Sequence, residues 1–260
     1  MRLIFIADVF GRPGRQAVAR LLPLLRERHA PDLVVANAEN SAGGAGFTRD
    51  TSEELLGAGA DLLTGGNHSW DNRDGAAYLA TAERALRPDN FPPAASGRGT
   101  ASLPLPGGRE LLVINLQGRV YLPAIDCPFR HADAVLAEWG GRGPVFVDFH
   151  AEATSEKIAL ARHLDGRVTA VIGTHTHVQT ADARILPGGT AFMTDAGMTG
   201  PHGGVIGITA ETALHRFLEG TPRRFEVCRD GIRLQGVLLD FDADSGRALA
   251  LEPIDLPLED

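Results

Sequence analysis

Five short apolar runs in this chain each end on an acidic, amide or imidazole side chain. Leu3 to Ala7 runs into Asp8, and Asp32-Leu33-Val34-Val35-Ala36 leads to Glu39. Asp61-Leu62-Leu63-Thr64 leads to Asn67, Pro144 to Phe149 delivers His150, and Val168 to Ile172 delivers His175 and His177. The runs read as buried strands. Between the first two, Val18, Leu21, Leu22 and Leu25 recur at helical spacing, after the Gly/Pro-punctuated turn Gly11-Arg12-Pro13-Gly14. A strand–helix–strand start favours a parallel sheet, and in an open α/β sheet the carboxyl ends of the strands gather near one another. The pattern predicts that residues from distant parts of the chain meet at one end of the sheet.

Further elements follow the same grammar. Thr51-Ser52-Glu53-Glu54 has the look of a capped helix start, and helices are expected over Asp74 to Arg84, Ala132 to Trp139, Ser155 to Leu164 and Thr209 to Leu218. Leu111 to Leu116 and Thr190 to Met193 are expected strands. Gly231 to Leu251 alternates around Asp244-Ser245-Gly246 as a hairpin would. Alternation early and hairpins late predict an α/β chain with mixed sheet pairing. No polar linker separates two hydrophobic patterns, so 1–260 is expected to be a single domain.

The gathered side chains suit metal binding. Asp8 and Glu39 offer anionic oxygens, Asn67 a carbonyl oxygen, and His150, His175 and His177 neutral ring nitrogens. Mixed nitrogen and oxygen donors fit manganese, iron or zinc better than an all-oxygen calcium site. The alternative is a set of ordinary polar loop residues, and for the His-Thr-His pair alone the two readings balance. Extended backbone through Thr176 would place both imidazoles on one side of the chain. Six candidate donors favour two ions over one, and binuclear centres hold their ions about 3.5–4 Å apart across a bridging carboxylate. Glu39 is the expected bridge. His68, beside Asn67, is placed to donate a proton near a bound phosphate or stabilise its leaving oxygen; otherwise it is a hydrogen-bonded histidine packed near Trp70. Asp71 would orient it or simply cap a turn. Gly43-Gly44-Ala45-Gly46 permits close backbone approach to an anion. Gly11-Arg12-Pro13-Gly14-Arg15 matches neither the dinucleotide-binding nor the Walker pattern, and Arg12 and Arg15 read as solvent-facing arginines at a helix start.

The formal charge of −8 disfavours stable binding to duplex nucleic acid, which needs many phosphates neutralised. A small phosphodiester remains compatible, because bound cations reverse the local potential. Cys127 and Cys228 are too few for a disulfide scaffold and read as reduced thiols. Neither a signal peptide nor a membrane span of about twenty apolar residues is present, so the expectation is a cytoplasmic protein with no membrane association.

In order and company, these segments resemble the calcineurin-like metallophosphoesterase superfamily, and more closely its YmdB-like branch of 2′,3′-cyclic-nucleotide 2′-phosphodiesterases. The resemblance is carried by Asp8-Val9-Phe10-Gly11-Arg12-Pro13-Gly14-Arg15, Ala38-Glu39-Asn40-Ser41-Ala42-Gly43-Gly44, Gly65-Gly66-Asn67-His68-Ser69-Trp70-Asp71, His150-Ala151-Glu152-Ala153-Thr154-Ser155-Glu156-Lys157 and Gly173-Thr174-His175-Thr176-His177, with Thr194-Asp195-Ala196-Gly197-Met198-Thr199-Gly200 behind them. It implies a four-layer α/β/β/α sandwich with two mixed β-sheets. It implies one ion on Asp8, Glu39, Asn40 and His177, a second on Glu39, Asn67, His150 and His175, and His68 as the catalytic histidine. Phe10 stands where the wider superfamily has a histidine ligand, with Asn40 as its compensation, and Glu39 replaces an aspartate. The resemblance further implies iron or manganese, with zinc as the alternative, a homo-oligomer, and hydrolysis of 2′,3′-cyclic nucleotides to 3′-nucleotides by metal-bound hydroxide. The rival expectations are a broader phosphodiesterase, phosphatase or nuclease, and a metal-stabilised signalling or binding protein.

Overall fold

The computed structural model describes residues 1–259; Asp260, the last residue of the expected 1–260 unit, lies outside them. Two six-stranded sheets face each other with helices outside. The first sheet holds β1 (Arg2–Ile6), β2 (Leu33–Asn37), β3 (Leu62–Thr64), β10 (Gly200–Pro201), β11 (Ile232–Phe241) and β12 (Ala248–Pro257). Its order is β10-β11-β1-β2-β3, with β12 also pairing β11. β1, β2 and β3 run parallel, whereas β11 joins β1 antiparallel. The second sheet runs β4 (Thr100–Leu105), β5 (Arg109–Gln117), β6 (Val145–His150), β7 (Ala170–Thr174), β9 (Ala191–Met193) and β8 (Arg184–Ile185). Its β5-β6-β7-β9 centre is parallel and both its edges are antiparallel. This is the mixed α/β sandwich of the sequence expectation.

Period-two alternation decides which residues meet where. On β1, Leu3 and Phe5 point between the sheets, where Phe5 packs on Phe146 at 5.1 Å between ring centroids. Ile4 and Ile6 face the other way, onto Val18 and Leu22 of α1 (Gly11–His29). β6 divides likewise, with Phe146 inward and Val147 and Phe149 facing the layer of α4 (Pro128–Trp139) and α5 (Thr154–Leu164). Helices α2 (Arg49–Gly57), α3 (Arg73–Leu79) and α6 (Ala210–Glu219) complete the set. No helix among the described residues is long and apolar enough to cross a membrane.

Several boundaries moved. Helix α1 begins at Gly11, not after Gly14, with Pro13 in its first turn, where a missing N–H costs no intrahelical bond. The cap of α2 is Thr48, which reciprocates with Thr51 three residues on, so Thr51 lies inside the helix instead of starting it. Helix α3 stops at Leu79, well short of Arg84, because the chain there turns to bridge Leu63 with Ala85. Strand β4 escaped notice because it is a half-exposed edge interrupted by Pro104, which an edge strand tolerates.

Candidate metal centre

Asp8, Glu39, Asn67, His150, His175 and His177 all lie at or just past the carboxyl ends of β1, β2, β3, β6 and β7. The structure brings most of them into direct contact. His150 Nε2 lies 3.1 Å from Glu39 Oε1, 2.9 Å from Asn67 Oδ1 and 3.0 Å from His175 Nδ1. Asn40 Nδ2 donates to Glu39 Oε1 at 2.9 Å and lies 3.1 Å from His177 Nε2. The backbone N–H of His175 donates to Asp8 Oδ2 at 2.9 Å. Among the described histidines, cysteines, aspartates and glutamates, Glu39, His150 and His175 form the one group of three whose ligand atoms all lie within 4.8 Å of one another. Asp8 and His177 stay outside this group, while Asn40 reaches it through its bond to Glu39.

A buried carboxylate oxygen needs a partner. Asp8 Oδ1 is fully buried and has none among the described residues, beside a cluster of further oxygen and nitrogen donors. An orphaned anionic oxygen in that company fits a cation. Gly66 fits the same requirement from the other side. Any Cβ there would strike the Glu39 carboxylate and the His150 ring, so only glycine lets the Asn67 loop approach so closely.

The electrostatics show what a cation would relieve. Burial, together with the charges of Glu39 and Asp195, pushes Asp8 well above the usual carboxylate range, despite the pull of His150. Burial also raises Glu39, but the charge and hydrogen bond of His150 outweigh it and hold the group at about 2. Burial disfavours a charged His150, and Glu39, Asp8 and Asp148 overcome that, lifting it to about 9. Partial burial and the neighbouring charge of His150 bring His175 down to about 3. Burial lowers His177 as well. A cation bound there would supply the positive charge that a protonated His150 otherwise supplies to Glu39 and Asp8.

His68 sits at the rim, 38% exposed, with Nδ1 2.7 Å from Asp71 Oδ2 and its backbone N–H donating to Glu39 Oε2 at 3.1 Å. Asp71 therefore orients the ring. Trp70 packs elsewhere, against Phe91. Phe10 sits edge-on to His177 at 5.6 Å, an apolar wall where it can ligate nothing. Arg15 does not face solvent alone: it pairs with Glu54 at 2.5 Å and donates to the Ser41 carbonyl.

The extended His-Thr-His segment expected from sequence is not what forms. His175 and His177 have φ of +104° and +65°, in the left-handed region, and the two imidazoles reach different partners, His150 and Asn40. Three contributors also went unread: Glu152, whose Oε2 lies 3.1 Å from His175 Nε2; Asp195, which accepts the Thr176 N–H; and a polar layer under the cluster, described below. Period two could have revealed the last. On β2, β3, β5, β6 and β7 the inward apolar residues Val35, Leu62, Val113, Phe146 and Ile172 are each followed two positions on by Asn37, Thr64, Asn115, Asp148 and Thr174.

The family profile described as YmdB-like protein matches residues 4–254. The chain belongs to this family, a branch of the calcineurin-like metallophosphoesterases. It is 47% identical over 255 residues to the Bacillus subtilis (strain 168) 2′,3′-cyclic-nucleotide 2′-phosphodiesterase, covering 98% of this chain and 96% of that one. A Thermus thermophilus crystal structure, described as a hypothetical protein, superposes with a TM-score of 0.92 at 44% identity, covering 99% of each chain. A Mycoplasma pneumoniae structure described as a novel phosphatase gives a TM-score of 0.93 at 34% identity, covering 99% of this chain and 93% of that one.

Proposed function

We propose that this YmdB-like chain is a metal-dependent phosphodiesterase that opens 2′,3′-cyclic nucleotides to 3′-nucleotides. The observation that carries the reading is the convergence of Glu39, His150 and His175 beside the unpartnered Asp8 oxygen, with His68 at the rim. Its similarity to the Bacillus subtilis phosphodiesterase supports the choice of substrate. Asp8, Glu39, Asn40 and His177 would hold one cation and Glu39, Asn67, His150 and His175 the other, with iron or manganese preferred. Bound there, the cations would supply charge neutralisation at the phosphate and a lowered pKa for the attacking water.

The chain's own residues do the rest. Asp71 holds His68 through Nδ1, which leaves Nε2 free to face the ester oxygen that departs. The bond from phosphorus to O2′ breaks as the water oxygen bonds to phosphorus, and His68 gives its proton to O2′. The backbone N–H of His68 donates to Glu39 Oε2, which holds this residue beside the cluster.

The test is kinetics paired with metal analysis. His68→Ala should lower kcat by about 10²–10⁴-fold while the protein keeps its bound metal. Phosphorus NMR of the product should show a 3′-phosphate, with phosphomonoesters and short RNA turned over more slowly. Normal turnover by His68→Ala, or full activity in thoroughly metal-free protein, would remove the reading.

A further inference from the structure

Five polar side chains sit between the sheets directly beneath the metal-capable cluster, in a layer that is otherwise apolar. Asn37 and Thr64 come from the first sheet; Asn115, Asp148 and Thr174 come from the second, and all are fully buried. Asp148 is the hub. Its Oδ2 accepts from the Thr64 hydroxyl and from Asn37 Nδ2 at 3.0 Å, and its Oδ1 accepts from the Thr174 hydroxyl at 2.7 Å.

Bond direction then carries the argument upward. The Thr174 hydroxyl has one proton, and it goes to Asp148. Thr174 Oγ1 therefore meets His150 Nδ1, 3.0 Å away, only as an acceptor, so Nδ1 carries the proton. In the neutral ring that metal ligation requires, Nε2 is then the nitrogen with the lone pair, and Nε2 is the atom facing Glu39, Asn67 and His175. The same hub reaches two further site loops through Asn37. Asn37 Oδ1 accepts the Glu39 N–H at 3.1 Å, and Asn37 Nδ2 also donates to the Gly65 carbonyl at 3.3 Å.

We infer that Asp148 is a positioning residue: through Thr174 it fixes the ring tautomer of His150, and through Asn37 it fixes the height of Glu39 and of the Gly65–Asn67 turn. One carboxylate at the seam between the sheets thus sets donors from both sheets to a common register. The inference rests on the metal-centre reading above, and concerns how the chain prepares its donors rather than which reaction follows. Removal of partners of this kind behind a ligating histidine costs about 10–100-fold in metal affinity.

The test is calorimetric titration of the metal-free full chain with Mn²⁺, alongside thermal melts. Thr174→Val keeps the shape and removes the acceptor, and should bind Mn²⁺ about 10–100-fold more weakly. Thr174→Ser restores the hydroxyl and should return binding to within about threefold of wild type. Asp148→Asn swaps one of two acceptor oxygens for an NH₂ donor, leaving at least one of Thr64, Asn37 and Thr174 without its acceptor, and should weaken Mn²⁺ binding as Thr174→Val does, which keeps the inference testable should the valine variant fold poorly. Unchanged affinity in Thr174→Val or Asp148→Asn overturns the inference, even with a lower melting temperature, and so does a serine variant as weak as valine. Wild-type protein that takes up no Mn²⁺ would remove the proposed function and this inference together; wild type that binds while Thr174→Val binds equally removes this inference alone.

Discussion

His150 and the His175–His177 segment reach the same cluster by different routes. His150 is the last residue of β6, its backbone set by ladders to β5 and β7 and its ring fully buried. His175 and His177 lie past the end of β7 on left-handed backbone, where each costs on the order of 1–3 kcal/mol. A strand fixes the backbone of its last residue through its ladders, leaving only the side chain to be oriented. A strained turn must be held, and here it is held by tertiary bonds: His175 N–H to Asp8, His177 Nδ1 to the Ile206 carbonyl, and Thr176 N–H to Asp195 at 3.0 Å. Asp195 is itself fixed by Lys157 at 2.7 Å, with both side chains fully buried. The strand half of the site takes its backbone from sheet ladders, and the turn half takes its backbone from bonds to side chains and loops elsewhere in the fold.

The hardest test of that contrast is Lys157→Met. Removing one member of a buried ion pair strands the other's charge, and the expected cost is about 3–5 kcal/mol in urea denaturation. Hydrogen exchange should quicken at His175 to Val178 and stay slow along β6. Equal protection in both segments would erase the distinction between them.

That distinction also explains what could be read in advance. Asp8, Glu39 and His150 were legible because each closes an apolar run, and a run's end fixes where a side chain emerges. The two-sheet arrangement was not derivable from the runs, since β10 and β8 are two-residue strands that exist only as partners of distant segments. The His-Thr-His turn misled for the same reason. Its short spacing suggests extended backbone, but its conformation is imposed by Asp8 and Asp195, both held in place by the tertiary fold. Lys157, the chain's single lysine, lies on a helix, and only the fold shows that it is buried.

A smaller effect is expected at Asp182, which braces the turn half by accepting from the Thr180 and Thr194 hydroxyls, both at 2.6 Å, and from the Thr194 N–H at 3.0 Å. Burial raises its carboxyl, but these donors outweigh that and hold it below the usual carboxylate range. A carboxyl depressed on folding stabilises the protein above its unfolded value, about 3.9, and the benefit is lost as pH falls through the folded value. Asp182→Asn should cost about 1.5–3 kcal/mol near neutrality. Its stability curve should converge with that of wild type in acid; a constant offset down to low pH would show that charge is irrelevant there.

The smallest expected change is a control outside both halves. Thr48→Ala removes the cap of α2 and should cost about 1 kcal/mol, with Mn²⁺ affinity unaltered. A parallel fall in affinity would mean that the strand half leans on its surrounding helices more than its ladders suggest.

Strand β11 pairs with β1 along five residues, and the N–H of Ala7, just before Asp8, donates to the carbonyl of Gln235. The beginning of the chain thus waits for nearly its end. In folding, β1 can meet β2 early, but its other flank stays bare until Ile232–Phe241 docks against it. The backbone bond at Ala7, next to Asp8, forms only with that docking, so Asp8 takes its final place late in folding.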